Sequence, residues 1–370
     1  MKKSTVLFAV LALVAAGCTK TRIVDIGAEG GQRSIGFSAY TTRPTKAAQA
    51  DVTTANLSSF QVTAIGNGAV YFSDAKFEKN AQSGVWESTP AYFWPAFALD
   101  FYAYNKPENG TFTASINTSS QTITYAPSTV LAEQEDLVAA TLKNQTEPGT
   151  GATSITFNHY LTQVVVNAKN SNANYKVEVD GVKLANFAED GTYTFNGNTM
   201  TATVAKINSA SSTDYTAAFT AKTLGSDAQE VMTDGGAGRW YLIPQSVTAW
   251  KRDGESPDMK NTSNGTYLAL KVKISASASS KQIYPISGEQ SAWMAVPVPA
   301  ELKFEQGKKY TVTFDFFGNG GAGYVDPEVA GELDGNAETE DNGKKIIGGA
   351  IKFDVTVNDW TNETAITISL

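Results

Sequence analysis

Apolar and polar residues alternate with a period of two along most of this chain, which predicts strands rather than helices. Phe97, Leu99, Phe101 and Ala103 share one face of such a run, with Asp100, Tyr102 and Tyr104 on the other. The same spacing recurs at Ile155, Phe157, His159 and Leu161, and at Leu268, Leu270, Val272 and Ile274. It returns at Tyr310, Val312, Phe314 and Phe316, and again at Ile351, Phe353, Val355 and Val357. Gly, Asn, Asp or Pro bounds each run, as between the strands of sandwiches. Thr, Ser, Asn, Gly, Tyr and Phe are plentiful, and long stretches of Leu, Ala, Glu and Lys at helical spacing are missing. The expected class is therefore all-β.

Two polar stretches interrupt this pattern. Residues 144–151, NQTEPGTG, combine Pro and Gly with no apolar side chain and are expected to link an N-terminal domain, 19–148, to a C-terminal domain, 149–370. Residues 318–345, rich in Gly, Asp and Glu, are expected to form a long acidic loop.

The start of the chain departs from alternation altogether. Lys2 and Lys3 precede an apolar run over 6–16, and Ala15, Ala16 and Gly17 lead into Cys18. This is the layout of a bacterial lipoprotein leader, 1–18, with small residues at the cleavage site and Cys18 as the lipidated terminus. Ala15 stands where Leu is more usual, and Thr19 in place of an acidic residue resembles cargo sent on to the outer membrane. Cys18 is the chain's single cysteine, so the folded part is left without a disulfide or a thiolate nucleophile.

The formal charge of the full chain is −8, and loss of Lys2 and Lys3 with the leader makes the mature chain more acidic still. Basic residues are scattered, with no run longer than two, which argues against nucleic acid as a partner.

Candidate chemistry is sparse. The single histidine, His159, sits between apolar strand neighbours and is expected to be structural rather than a catalytic base. Gly318, Gly320 and Gly323 match a dinucleotide-binding spacing, but the following Tyr324-Val325-Asp326-Pro327 cannot open the helix that would hold phosphates. Asp334, Asn336, Glu338 and Glu340 alternate as calcium-loop oxygens do, yet Thr339 occupies the place of the turning glycine. No metal, cofactor or enzymatic activity is expected. Tyr92, Phe93, Trp94, Trp240, Tyr241 and Trp250 are expected mainly in cores or interfaces, with sugar stacking as the alternative use of any that are exposed.

Several segments then read together in order: Ile35-Gly36-Phe37 followed by TTRPTKA at 41–47; AYFWP at 91–95 running into LDFYAYN at 99–105; EDLVAAT at 135–141; and ITFNHYLTQVVVNAK at 155–169. After them come YLIPQS at 241–246, VPVPAELKFEQGKKYTVTFDF at 296–316, and IKFDVTVNDW at 351–360. In this order they resemble the fimbrillin family of Bacteroidales, lipoprotein precursors of surface fimbriae. The resemblance implies two tandem transthyretin-like Greek-key β-sandwich domains on a surface-exposed, lipid-anchored protein of the outer membrane. Its implied partners are other fimbrial subunits and a host or bacterial surface ligand.

The resemblance also implies assembly by strand exchange, in which a trypsin-like protease removes an N-terminal strand and a strand of the next subunit replaces it. Residues 34–46 match the removable strand and its processing loop, with Ile35 and Phe37 as the inward pair. Arg43 stands at the expected processing position but is followed by Pro44; Lys46 and Arg33 are the substitutes. The tract also reads as an exposed polar linker. At the other end, Ile366, Ile368 and Leu370 alternate with polar residues, which suits a donor strand or an intrinsic last strand. A monomeric, glycan-binding outer-membrane lipoprotein is the competing reading of the whole.

Overall fold

The computed structural model describes residues 33–41, 51–53, 55–204, 212–234, 238–251, 259–286, 288–299, 302–328, 333, 341–359 and 362–369. Cys18, Arg43, Lys46 and Leu370 lie outside them, as do Asp334, Asn336, Glu338 and Glu340. Regular structure among the described residues is almost entirely strand, as the alternation requires.

The chain enters at β1 (Phe37–Thr41) and continues through β2 (Ser59–Gly66), β3 (Ala69–Lys79), β4 (Trp86–Ser88) and β5 (Leu99–Tyr104). Asn67 and Gly68, both at positive φ, turn β2 into β3, the pairing that a two-residue hairpin demands. The strands β6 (Thr111–Ile116) and β7 (Gln121–Ala126) then leave this layer, and β8 (Val138–Gln145) and β9 (Thr153–His159) return to it. In the order β1-β4-β3-β2-β5-β8-β9 these strands close into a barrel, which leaves no free edge. Residues 144–151, expected to link two domains, thus fall at the junction of two neighbouring barrel strands, β8 and β9.

The remaining strands are β10 (Thr162–Asn170), β11 (Tyr175–Ala188), β12 (Gly191–Asn196), β13 (Thr199–Val204), β14 (Ser212–Thr223), β15 (Gln229–Glu230), β16 (Trp240–Leu242), β17 (Gln245–Ser246), β18 (Tyr267–Ala276), β19 (Gln282–Tyr284), β20 (Ala292–Pro297), β21 (Lys303–Phe304), β22 (Lys308–Phe316), β23 (Tyr324–Val325), β24 (Lys352–Asp359) and β25 (Asn362–Ser369). Two sheets form a sandwich: β15-β10-β22-β24-β25 with β16 also on β10, and β14-β11-β18-β20-β23 with β19 also on β18. Val164, Val177, Leu270, Val312 and Phe314 are among the residues sealed in its core.

The two halves share a sheet. Strand β12 pairs with β7, so β13-β12-β7-β6 spans the barrel half and the sandwich half in one hydrogen-bonded ladder. Tyr104, Ile123, Tyr125, Tyr160 and Tyr193 fill the space beneath it. This covering explains β5, whose two faces are both buried: Leu99, Phe101 and Ala103 line the barrel, and Tyr102 and Tyr104 pack under the shared sheet.

The stretch 318–345 is only partly an exposed loop. Ala322, Val325, Asp326 and Asp341 are buried, and β23 is paired to β20. Gly323, at a φ of 84°, approaches the Met294 side chain so closely that a Cβ there would lie 2.2 Å from its sulfur.

Candidate functional site

Alternation places Ile35, Phe37, Ala39 and Thr41 inward and leaves Tyr40 outward at 52% exposure. Phe37 is completely buried, with its ring edge-on to Phe77 at 5.1 Å and Phe101 at 5.2 Å and 6.0 Å from Phe60. Trp86, Ile155 and Phe157 belong to the same core.

The backbone of this segment is held from two sides. On one side Ile35 donates its N–H to Tyr92 O at 2.7 Å, Trp94 donates to Arg33 O at 3.0 Å, and Phe37 pairs with Trp86. On the other, β1 runs parallel to β9 from Phe37↔Thr153 to Thr41↔Phe157, and Thr153 donates to Gly36 O at 2.9 Å. Taking β1 away would therefore open the barrel along two edges and expose an aromatic floor. Such a slot accepts an extended segment through main-chain bonds, with alternate side chains filling the pockets.

Phe37→Ala is expected to destabilise the protein by about 3–5 kcal/mol, the usual range for deleting a fully buried aromatic ring. A lowered midpoint in urea unfolding would record it, and an unchanged midpoint would show that the ring carries no load in the barrel.

Of the three basic residues singled out in the sequence, Arg33 is described: its Nη1 donates to Pro148 O at 2.5 Å, just upstream of the paired residues. Ile366 and Ile368 lie on β25, opposite Val357 and Val355 of β24, at the outer edge of the sandwich sheet.

The polar cluster at the junction of the halves went unread in the sequence. The Asp51 carboxylate accepts hydrogen bonds from Tyr241 Oη at 2.5 Å and from Gln163, and lies 3.4 Å from Arg239 Nε. His159 Nδ1 is 2.7 Å from Asp136 Oδ2, which also accepts from the Val52 N–H at 3.2 Å. Burial raises the Asp51 pKa above the ordinary carboxylate value, against the pull of Tyr241 and Arg239. These residues come from widely separated positions, so only the fold brings them together. They hold Asp51 and Val52, the first residues described after Thr41.

A cleft of about 280 Å³ lies between the barrel and β6, lined by Asp74, Tyr104, Lys106 and Phe112 among others. Tyr104 Oη donates to Asp74 Oδ1 at 2.7 Å. Trp94, Trp240, Tyr241 and Trp250 are buried, while Phe93 is partly exposed. Among the described residues no cluster of His, Cys, Asp or Glu is arranged to hold a metal, and no helix is long and apolar enough to cross a membrane.

No curated protein matches the chain in sequence. Among solved structures it is similar to a candidate cell adhesion protein from Bacteroides uniformis ATCC 8492, at 13% identity and a TM-score of 0.47, covering 90% of this chain and 100% of that one. It is also similar to a candidate cell adhesion protein from Parabacteroides distasonis ATCC 8503, at 8% identity, TM-score 0.45 and coverage of 90% and 98%. The fimbrial anchor protein Mfa2 from Porphyromonas gingivalis matches at 13% identity and TM-score 0.34, over 77% of this chain and 90% of that one. A family model described as fimbrillin-like matches residues 21–360. That match runs through β1, the barrel and the sandwich alike, and the chain belongs to the fimbrillin-like family.

Proposed function

We propose that the protein is a fimbrial subunit or accessory component of the cell surface, structural or adhesive rather than enzymatic, exported as a lipoprotein and anchored to the outer membrane through Cys18. The observation that carries this reading is β1 itself. It is a short N-terminal strand that, with Ile35 just ahead of it, supplies Phe37 and Ala39 to the barrel core and is followed within ten residues by Arg43 and Lys46. Cleavage in that tract would free the strand, and a strand such as β25 of a neighbouring subunit would satisfy the edges left by Trp86 and β9. Its partners are then other fimbrial subunits and, through its exposed surface, a host or bacterial ligand.

The finer architecture we propose is two tandem transthyretin-like units. The separation of the barrel core from the sandwich core supports it, with the division after His159 rather than at 148. The cleft beside Tyr104 and Phe112 favours a second reading, a monomeric glycan binder, because it offers an aromatic side chain beside carboxylate and ammonium groups.

Immunogold labelling of intact cells separates the two. Gold along filaments identifies a stalk subunit, and gold at filament ends a tip or anchor. Surface label without filaments, together with oligosaccharide binding by calorimetry that Phe112→Ala abolishes, would replace the fimbrial reading with the glycan-binding one.

A further inference from the structure

The outer face of the sheet β14-β11-β18-β20-β23 carries a group of residues that the strand-exchange reading does not use. Lys183 on β11 stands opposite Ala269 on β18, Ala269 opposite Ala295 on β20, and Ala295 opposite Tyr324 on β23. Directly opposed residues project from the same face of a sheet, so the lysine stem meets two methyl groups instead of bulky neighbours. Beyond them its Nζ lies 2.7 Å from Asp326 Oδ2. Asp326 is wholly buried and Lys183 nearly so. The Tyr267 and Trp293 rings flank the ammonium, with centroids at 5.1 and 5.4 Å.

The two oxygens of Asp326 are served differently. Oδ1 accepts from Tyr267 Oη at 3.1 Å and from the Glu328 N–H at 2.9 Å. Oδ2 receives no hydrogen bond of proper direction although Nζ is at contact distance. The Glu328 carboxyl group reaches to 4.0 Å from Nζ.

We propose that Lys183 and Asp326 join in an intramolecular isopeptide bond, an amide between Nζ and Cγ, formed by the protein's own residues. The first step is transfer of one proton from the Lys183 ammonium to the Asp326 carboxylate across their 2.7 Å contact, which leaves an amine beside a carboxylic acid. The amine lone pair then attacks Cγ and forms the N–C bond. Charge developing on Oδ1 is held by the Tyr267 hydroxyl and the Glu328 N–H, two donors already in place. Glu328 relays the proton lost by nitrogen to Oδ2, the Cγ–Oδ2 bond breaks, and water leaves. Ammonium plus carboxylate gives amide plus water, so atoms balance and no oxidant or cofactor is needed. Burial raises the Glu328 pKa above the ordinary carboxylate value, against the pull of Lys183. The fixed contact supplies the effective concentration that free amine and acid lack.

Intact-mass spectrometry of the purified, folded wild-type chain tests this directly. The expected mass is about 18 Da below that of the sequence, one water lost. A tryptic digest should contain the segment beginning at Val177, uncut after Lys183, linked to the segment that contains Asp326. Lys183→Arg and Asp326→Ala should each restore the full mass, and Glu328→Gln should slow or abolish the linkage. A wild-type chain of full mass with the two segments recovered separately overturns the proposal and leaves a buried ion pair. A mass deficit that persists in Lys183→Arg also overturns it, because the water was then lost elsewhere. The wild-type result decides the matter even if a variant does not fold.

Discussion

Under the proposed strand exchange, a trypsin-like protease should turn the mature chain into a ladder of polymers, and a chain carrying Arg43→Gln and Lys46→Gln should stay monomeric after the same treatment. The reason is positional. Strand β1 spans Phe37–Thr41, and to free it a cut must fall on its C-terminal side. Between Thr41 and Asp51 the basic residues are Arg43 and Lys46. A cut after Arg33 would leave β1 tethered to the body of the protein through residues 42–50. Pro44 disfavours cleavage after Arg43, so Lys46→Gln alone should account for most of the protection. N-terminal sequencing of the digested parent should begin at Ala47 or Pro44. What remains after the cut is secured at Asp51, through Tyr241, Gln163 and Arg239, and at Val52, through Asp136. Undiminished polymerisation of the double variant, or protection by Arg33→Gln alone, would refute release of β1 as the trigger.

Truncation after Thr364 should give the second large effect: a folded monomer that accepts a strand but cannot donate one. Strand β25 is the last of its sheet and pairs with β24 alone, so its departure breaks one ladder and no other. If its residues serve mainly to fill a neighbour's barrel, the shortened protein should keep its melting temperature within roughly 5 °C, a loss of at most about 3–4 kcal/mol for a chain of this size. Mixed with the cleaved full-length protein, it should cap polymers and shorten the ladder. Early melting or aggregation would instead identify β25 as an intrinsic strand whose loss leaves one edge of β24 unpaired.

Much of the strand content was legible in alternation, because a half-buried strand must bury every second residue. The runs beginning at Ile155, Leu268 and Tyr310 became β9, β18 and β22 with those residues inward. Alternation fails where a strand is covered on both faces. Tyr102 and Tyr104 were placed on the face opposite Leu99 and Phe101, and nothing local to β5 announces that this face is covered by β6, β7, β12 and β13. At 144–151 Pro and Gly mark the connection between the paired strands β8 and β9, and such residues occur equally within a barrel and between domains. His159 was expected to be structural, and its pairing with buried Asp136 fits that role. Its partner could not be named, because a polar contact across a fold has no spacing rule in sequence. The same holds for Asp51 with Tyr241 and for Lys183 with Asp326.

The ladder between β7 and β12 bears on how a filament of such subunits would respond to pulling. Gly191↔Tyr125 to Thr194↔Thr122 stitches the two halves along a row of hydrogen bonds, and the Asp51 cluster fastens them a second time. Two attachments at separate points remove the freedom to hinge that a single linker would allow. Tension entering at one end of the subunit therefore passes to the other through sheet rather than through loop. Compliance in such a fibre would reside in the joints between subunits, so it would bend in steps one subunit long while each unit stayed stiff.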